Sequence, residues 1–570
     1  RLLACCRGLE GQPQEHFAAL DALAADFALT LPQMRELGHS EEAVCEVLCR
    51  TLHCLIGGQA TRYRSLLLTP SPELYLRNCV RMRSLLNFNA DNPSGHYQLD
   101  LANPPDRSVA LELLLLDRWE AEVGKHLQRI DGSEWGNRSH FRNMAHQGVS
   151  LAVRSAAEWH LPDAGILVLD YATGKRPPRG AQALEAAAFA QLLRELHGSE
   201  LDLRTQLDAL RLVSHCIYLR ALQLRECLAL FSAGALRADV CVLLYFRVVD
   251  MQNQKAFRVR LGGREGLAAL QERLGHVAFF PFAQPERTAF KLDLARSDQR
   301  HATWLLTALA AKEQTENLRM ASLVDAEGNP VFPRSWESFE KMPTAGFFRA
   351  TYACAPEDRQ PAVRRQLLER HGHWRLAAQE REASCRSGAE EEAPDLVALA
   401  AWLTRKHSDA TAAVDSLRRL AGPRGDGTVT AEKFREGLQA MKCQRFAGPD
   451  EDKRIQAVFL RLDVDGEGCL SRNEWLVFEQ LCRDVTLCVE EFTRHLLRVV
   501  GNYAGYVERA WVNLAPAGGD KIPEETWTQV VAGRLRYFGP SLVVFHFLDS
   551  KCQHELSLDE LRALSQFAVG

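Results

Sequence analysis

Apolar positions recur at helical spacing through the first 85 residues, as in AVCEVLCRTLHCL (43–55). The pattern then changes. NFNADNPSG (87–95) is punctuated as a loop, and HYQLDL (96–101) alternates apolar and polar side chains as a strand does. Pro104 and Pro105 end that strand, and Asp106 is placed to cap a following helix. GILVLDYAT (165–173) predicts another strand, and the basic GKRPPRG (174–180) predicts a solvated loop. From residue 396 to the end the helical pattern returns.

The strand pattern occurs twice. FKLDLARSDQRHATWLL (290–306) aligns without gaps on YQLDLANPPDRSVALEL (97–113). Leu99, Asp100, Leu101, Ala102, Arg107 and Leu113 meet identical residues at Leu292, Asp293, Leu294, Ala295, Arg300 and Leu306. In the same order, PDAGILVLDYA (162–172) matches PTAGFFRATYA (343–353). The sequence thus predicts an α+β multidomain chain with a duplicated strand–helix–strand module, about 190 residues per copy. The expected organisation is a first module over 1–200 with N-terminal helices and a second over 201–379. A charged linker follows at 380–395 (EREASCRSGAEEEAPD), then a helical region over 396–570.

Composition narrows the function classes. A chain of 570 residues has room for about three to four domains. With 46 % hydrophobic and 25 % charged residues it has the make-up of a soluble globular protein. A net charge of −4 gives no field toward nucleic acid or anionic membrane, so no nucleic-acid partner is expected. The sixteen cysteines are scattered, which suits reduced thiols in the cytoplasm. The longest apolar runs, such as SLVVFHFL (541–548), are too short to span a membrane. The chain starts at Arg1 and reads as a fragment.

The most informative stretch is LDVDGEGCLSRNEW (462–475). Counting from Asp463, carboxylates stand at positions 1 (Asp463), 3 (Asp465), 5 (Glu467) and 12 (Glu474). Gly468 stands at the sharp turn at position 6, and Leu470 at position 8. Carboxylates so close repel one another unless a cation binds them together. A hard divalent ion takes six to eight oxygens. Here Asp463, Asp465 and Glu467 supply single oxygens, Cys469 its backbone carbonyl, and Glu474 both oxygens, with Ser471 acting directly or through water. Phe459 and Leu462 before the loop, and Trp475 and Phe478 after it, are the apolar faces of two flanking helices.

This pattern resembles the EF-hand of calmodulin-like proteins, which implies Ca2+ as the ion and hands arranged in pairs. Glu467 departs from the family pattern, where a shorter side chain is usual. Three further stretches keep the apolar frame but lose ligands. TVTAEKF (428–434) has Val429 at position 8 and Lys433 at position 12. WVNLAPAGGDKIPEETW (511–527) has Ile522 at position 8, but Ala515 and Thr526 at positions 1 and 12. FHFLDSKCQHELSLDEL (545–561) keeps Asp549 and Glu560, but Lys551 takes position 3 and His554 replaces the turn glycine. The resemblance implies four helix–loop–helix units, with Val429 paired to Leu470 and Ile522 to Leu556, and one competent loop. Residues 1–375 are similar to a tandem module of uncharacterised EF-hand-bearing proteins of single-celled eukaryotes, a likeness that carries no known activity.

Other constellations are weaker. Cys45, Cys49 and His53, with Cys54 adjacent, share a helical face, which more often means core than zinc. HGHW (371–374) reads as a loop, and GGREG (262–266) lacks the residues of a phosphate cradle. Asp100 and Asp293 fit structural roles better than a catalytic pair, and no nucleophile or metalloprotease motif is present. The expected function is a non-enzymatic Ca2+-binding protein that contacts an unknown protein partner or acts as a scaffold. The alternatives are an enzyme in the repeats regulated by the hands, and a structural protein without calcium switching.

Overall fold

The computed structural model describes scattered positions before residue 52, then 83–131, 140–151, 160–178, 180–232, 234–282, 285, 289–324, 329, 342–354, 358–371, 393–407, 409–422, 427–463, 466–501, 505–515 and 520–568. Helix and strand are mixed, as an α+β chain requires.

The first sheet contains β1 (Gly95–Asp100), β2 (Phe141–His146), β3 (Val149–Ser150) and β4 (Ile166–Tyr171), in the order β1-β4-β2-β3 and antiparallel throughout. Helix α1 (Pro104–Asp131) covers its inner face. The alternation decides which side chains are buried there. Tyr97, Leu99, Leu167, Leu169 and Tyr171 form one core with Val109, Ala110 and Leu113 of the helix. The prolines do not merely end the strand. Pro104 opens the helix, where a missing N–H costs nothing. Asp106 is therefore no N-cap. Its carboxylate accepts from Asp100 N (2.9 Å) and Ser84 Oγ (2.5 Å), tying the strand end to the helix.

After β4 the chain runs through α2 (Ala186–Gly198), α3 (Leu203–Val213), α4 (Ala221–Leu228), α5 (Ala235–Tyr245) and α6 (Gly263–Leu274). The basic segment before them is not simply solvated. Lys175 Nζ lies over the Trp119 ring (5.5 Å) and Arg176 Cζ over Phe246 (4.2 Å), where the ring faces attract the cationic ends.

A second sheet follows, with β5 (Ala289–Asp293), α7 (Ser297–Lys312), β6 (Leu318–Val324) and β7 (Phe347–Tyr352), in the order β5-β7-β6. Here too the last strand in sequence lies in the middle. Phe290, Leu292, Leu294, Phe348, Ala350 and Tyr352 pack with Ala302, Leu305, Leu306 and Leu309 of α7, in a core shared with α2–α6. Matching details recur in both sheets. Leu101 N donates to Gly165 O (2.9 Å), and Leu294 N to Gly346 O (2.8 Å). Both glycines have φ of 108°. The register shifts between Arg142 and Ala145 and between Arg319 and Ser322, with left-handed residues Asn143 (φ 50°) and Met320 (φ 52°) inside the shifts. Asp100 and Asp293 do the same structural work: each accepts from the backbone two residues on, Ala102 N at 3.0 Å and Ala295 N at 2.9 Å. Helix α8 (Pro361–His371) ends at His371, which is buried against Trp304 and His301 rather than lying in a loop.

The C-terminal region is helical: α9 (Pro394–Lys406), α10 (Ala410–Ala421), α11 (Ala431–Ala440), α12 (Glu451–Leu462), α13 (Arg472–Val500), α14 (Tyr506–Leu514), α15 (Glu524–Leu535), α16 (Ser541–Leu548) and α17 (Leu558–Leu561). Two short antiparallel ladders cross-link the loops between them. β8 (Val429–Thr430) pairs with β9 (Cys469–Leu470), placing Val429 opposite Leu470. β10 (Lys521–Pro523) pairs with β11 (Glu555–Ser557), placing Ile522 opposite Leu556. The 29-residue α13 is tied to the preceding region by buried charge. Arg225 reaches Asp484 (2.7 Å) and Glu491 (3.0 Å), and Arg260 also reaches Glu491 (2.8 Å). Burial pushes the Glu491 carboxyl up, but the Arg260 and Arg225 guanidiniums outweigh it and hold it below its ordinary value. No helix among the described residues is long and apolar enough to cross a membrane.

Candidate metal centre

The loop at 463–474 is built by the helices on either side. In α12 the apolar side chains Ile455, Val458, Phe459 and Leu462 follow helical spacing and enter the core. Asp463 ends that helix, its N–H donating to Phe459 O at 2.8 Å. The chain then reverses through Gly466 (φ 74°) and Gly468 (φ 75°), left-handed positions that favour glycine. This folds the backbone over the first carboxylate. Asp463 Oδ1 accepts from Glu467 N (3.1 Å) and Oδ2 from Gly468 N (2.9 Å). Cys469 and Leu470 form β9, and Leu470 is sealed in the core opposite Val429. Ser471 then caps α13, with Glu474 Oε2 accepting from Ser471 N (2.8 Å) and Oγ (2.9 Å) in a reciprocal capping box.

Asp463 (5 % exposed) and Glu474 (6 %) are thus buried at the two ends of the loop. Glu467 is exposed and Cys469 is half-buried. Asp465 lies outside the described residues. Among the described residues no three His, Cys, Asp or Glu side chains gather as a metal site. The donors present in the loop are oxygens, as a hard cation requires, and Asp463 has no cationic side chain beside it among the described residues.

The loop at 549–560 has the same frame. Asp549 ends α16, its N–H donating to Phe545 O at 2.8 Å. Its Oδ1 accepts from Gln553 N (2.9 Å) and Oδ2 from His554 N (3.2 Å), at the same two positions as in the loop 463–474. Cys552 (φ 56°) and His554 (φ 57°) adopt the left-handed conformation that Gly466 and Gly468 hold. Glu560 Oε2 accepts from Ser557 N (3.0 Å) and Oγ (2.9 Å). Here, however, Arg445 Nη1 meets Asp549 Oδ2 at 2.9 Å, with both side chains buried, and Arg445 Nη2 donates to His546 O at 2.6 Å. This guanidinium supplies positive charge to the fourth loop. No local pattern marks Arg445, which lies 104 residues before its partner, between α11 and α12. The only hint is a loop that keeps its first and last carboxylates while losing the positions between them.

The other loops are less complete. Residues 423–426 and 516–519 lie outside the described residues, as do Cys45, His53, Cys54 and His373; Cys49 is buried in the first core. No family model, curated protein or solved structure matches this chain.

Proposed function

We propose that this protein binds one Ca2+ ion in the loop 463–474, as an EF-hand protein, and serves as a non-enzymatic, Ca2+-responsive interaction or scaffold protein of the cytoplasm. Asp463, Asp465 and Glu467 would hold the ion with side-chain oxygens, Cys469 with its backbone carbonyl, and Glu474 with its carboxylate. The observation that carries this reading is the contrast between two loops of one design. Asp549 has a buried guanidinium beside it, whereas Asp463 is equally enclosed without one among the described residues. A buried carboxylate is costly without a cation, so the loop 463–474 has a need that the loop 549–560 has met internally. The paired strands at Val429–Leu470 and Ile522–Leu556 support two pairs of hands. The shared strand order, matching register shifts and matched turns at Asp100 and Asp293 support a duplicated α+β module before them.

Calorimetric titration of the full chain with Ca2+ tests the reading. The expected stoichiometry is one. Glu474→Gln keeps the shape but removes a charge and one good oxygen, so affinity should fall more than tenfold. A stoichiometry of two, or an unchanged response in Glu474→Gln, overturns the single-site reading.

A further inference from the structure

The two sheets differ most on the faces turned away from their helices. On the first sheet the outer face carries His96, Gln98, Arg142, Val168 and Asp170, with Arg142 opposite Asp170. Helix α6 lies against β2 and β4 there. Its Arg273 bonds Asp170 (2.9 Å) and also Asp239 of α5 (2.7 Å). On that face Arg142 and Asp170 offset each other across neighbouring strands, and the covering helix adds Arg273 to the same carboxylate.

On the second sheet the corresponding face is basic and is exposed at its described residues. Lys291 and Arg349 stand directly opposite each other on β5 and β7, where the first sheet places Gln98 opposite Val168. Arg319 extends the patch on β6, and all three are exposed. None has a carboxylate partner among the described residues. Beside them stand Met320 (84 % exposed) and Phe347 (39 %). Like charges directly opposite on a sheet are destabilising, and no acid among the described residues offsets this pair. Chance placement of single surface cations is common. A cross-strand pair of cations next to exposed apolar side chains, on the face that the other sheet covers with a helix, is a more specific arrangement.

We propose that the outer face of the β5-β7-β6 sheet is a docking surface for an acidic amphipathic helix of a partner protein. The occupant is a helix because α6 occupies the matching face of the first sheet. It is acidic because Lys291, Arg319 and Arg349 require anions, and it is amphipathic because Met320 and Phe347 require apolar cover. The surface acts independently of the calcium loop.

The test uses the full chain and a labelled 18-residue helical peptide with leucines at helical spacing and glutamates elsewhere, read by fluorescence anisotropy. A control peptide replaces the glutamates with lysines. The glutamate peptide should bind, weaken as salt is raised, and bind at least tenfold less to Lys291→Glu/Arg349→Glu. The lysine peptide should bind more weakly than the glutamate peptide. Lys291→Gln should raise the thermal midpoint of the free protein, since it removes a repulsion, while weakening peptide binding. These opposite signs separate docking from a structural role. Equal binding of the glutamate peptide to the double variant overturns the proposal, as does a midpoint lowered by Lys291→Gln. Tighter binding of phosphatidylserine vesicles or a single-stranded oligonucleotide than of the glutamate peptide, with the same dependence on Lys291 and Arg349, also overturns it in favour of those partners.

Discussion

At the scale of single residues, Arg445 shows how one side chain decides the chemistry of a loop. Its guanidinium and Asp549 are both withdrawn from water, so each is tolerable only because of the other. Arg445→Met should destabilise the protein by about 3–5 kcal/mol, because it leaves a buried carboxylate with backbone donors alone. Asp549→Asn in that background should recover part of the loss, while Asp549→Asn alone should be destabilising, because it strands the guanidinium. Denaturant unfolding of the three variants checks this; additive losses would show that the pair is not coupled. The Ca2+ stoichiometry of Asp549→Asn should stay at one. Placements set by neighbours in sequence, such as Asp463 at the helix end, Gly468 at the turn and Leu470 in the core, were legible without a structure. Asp106, Arg176 and His371 were not, because their partners, a strand end, the Phe246 ring and the Trp304 ring, are brought close only by folding.

At the scale of elements, strands with clean alternation were readable, and those interrupted by a register shift were not. HYQLDL and GILVLDYAT announce β1 and β4, which span Gly95–Asp100 and Ile166–Tyr171. β2 and β6 do not announce themselves, since the left-handed Asn143 and Met320 break the two-residue period that marks a strand. The second sheet is fastened below β7 by Glu313. It binds Arg364 Nε at 2.7 Å and accepts from Tyr352 Oη (2.7 Å) and Gln360 N (2.9 Å). Burial raises the Glu313 carboxyl, but these donors outweigh it and bring the value down to about 2 from 4.5. A lowered carboxyl value means stability that is complete above about 4.5 and is lost as pH falls toward about 2. Glu313→Gln should therefore lower the thermal midpoint at pH 6, and the gap to the wild type should narrow steadily between pH 4.5 and pH 2.5. A gap that is constant across that range would show that the ionised carboxylate is not what holds the strand.

At the scale of the whole molecule, the proposed Ca2+ site raises the question of how far one ion would be felt. At a free concentration a hundred times Kd, one site stabilises the bound form by about 2.7 kcal/mol. That is enough to tighten a loop and the helix ends beside it. Two ties limit its reach. Arg445 already gives Asp549 of the fourth loop its positive charge, so a second ion would meet a guanidinium there. Asp484 and Glu491 fasten the middle of α13 to Arg225 and Arg260, which holds that helix in place whether or not its first turn binds an ion. Calmodulin-type opening exposes a methionine-rich groove, yet the only methionine after residue 396 is Met441, which is buried. The expected response is local. Ca2+ should raise the thermal midpoint and slow amide exchange around 459–478, while exchange across 503–565 changes little. Hydrogen exchange of the full chain with and without Ca2+ reads this directly. Arg445→Met should extend the response, because the fourth loop then lacks its tethered charge and the linker between α11 and α12 is released from it. Strong protection across 503–565 in the wild type would mean that the two pairs move together, and that the ties at Asp549 and Glu491 are too weak to confine the ion's effect.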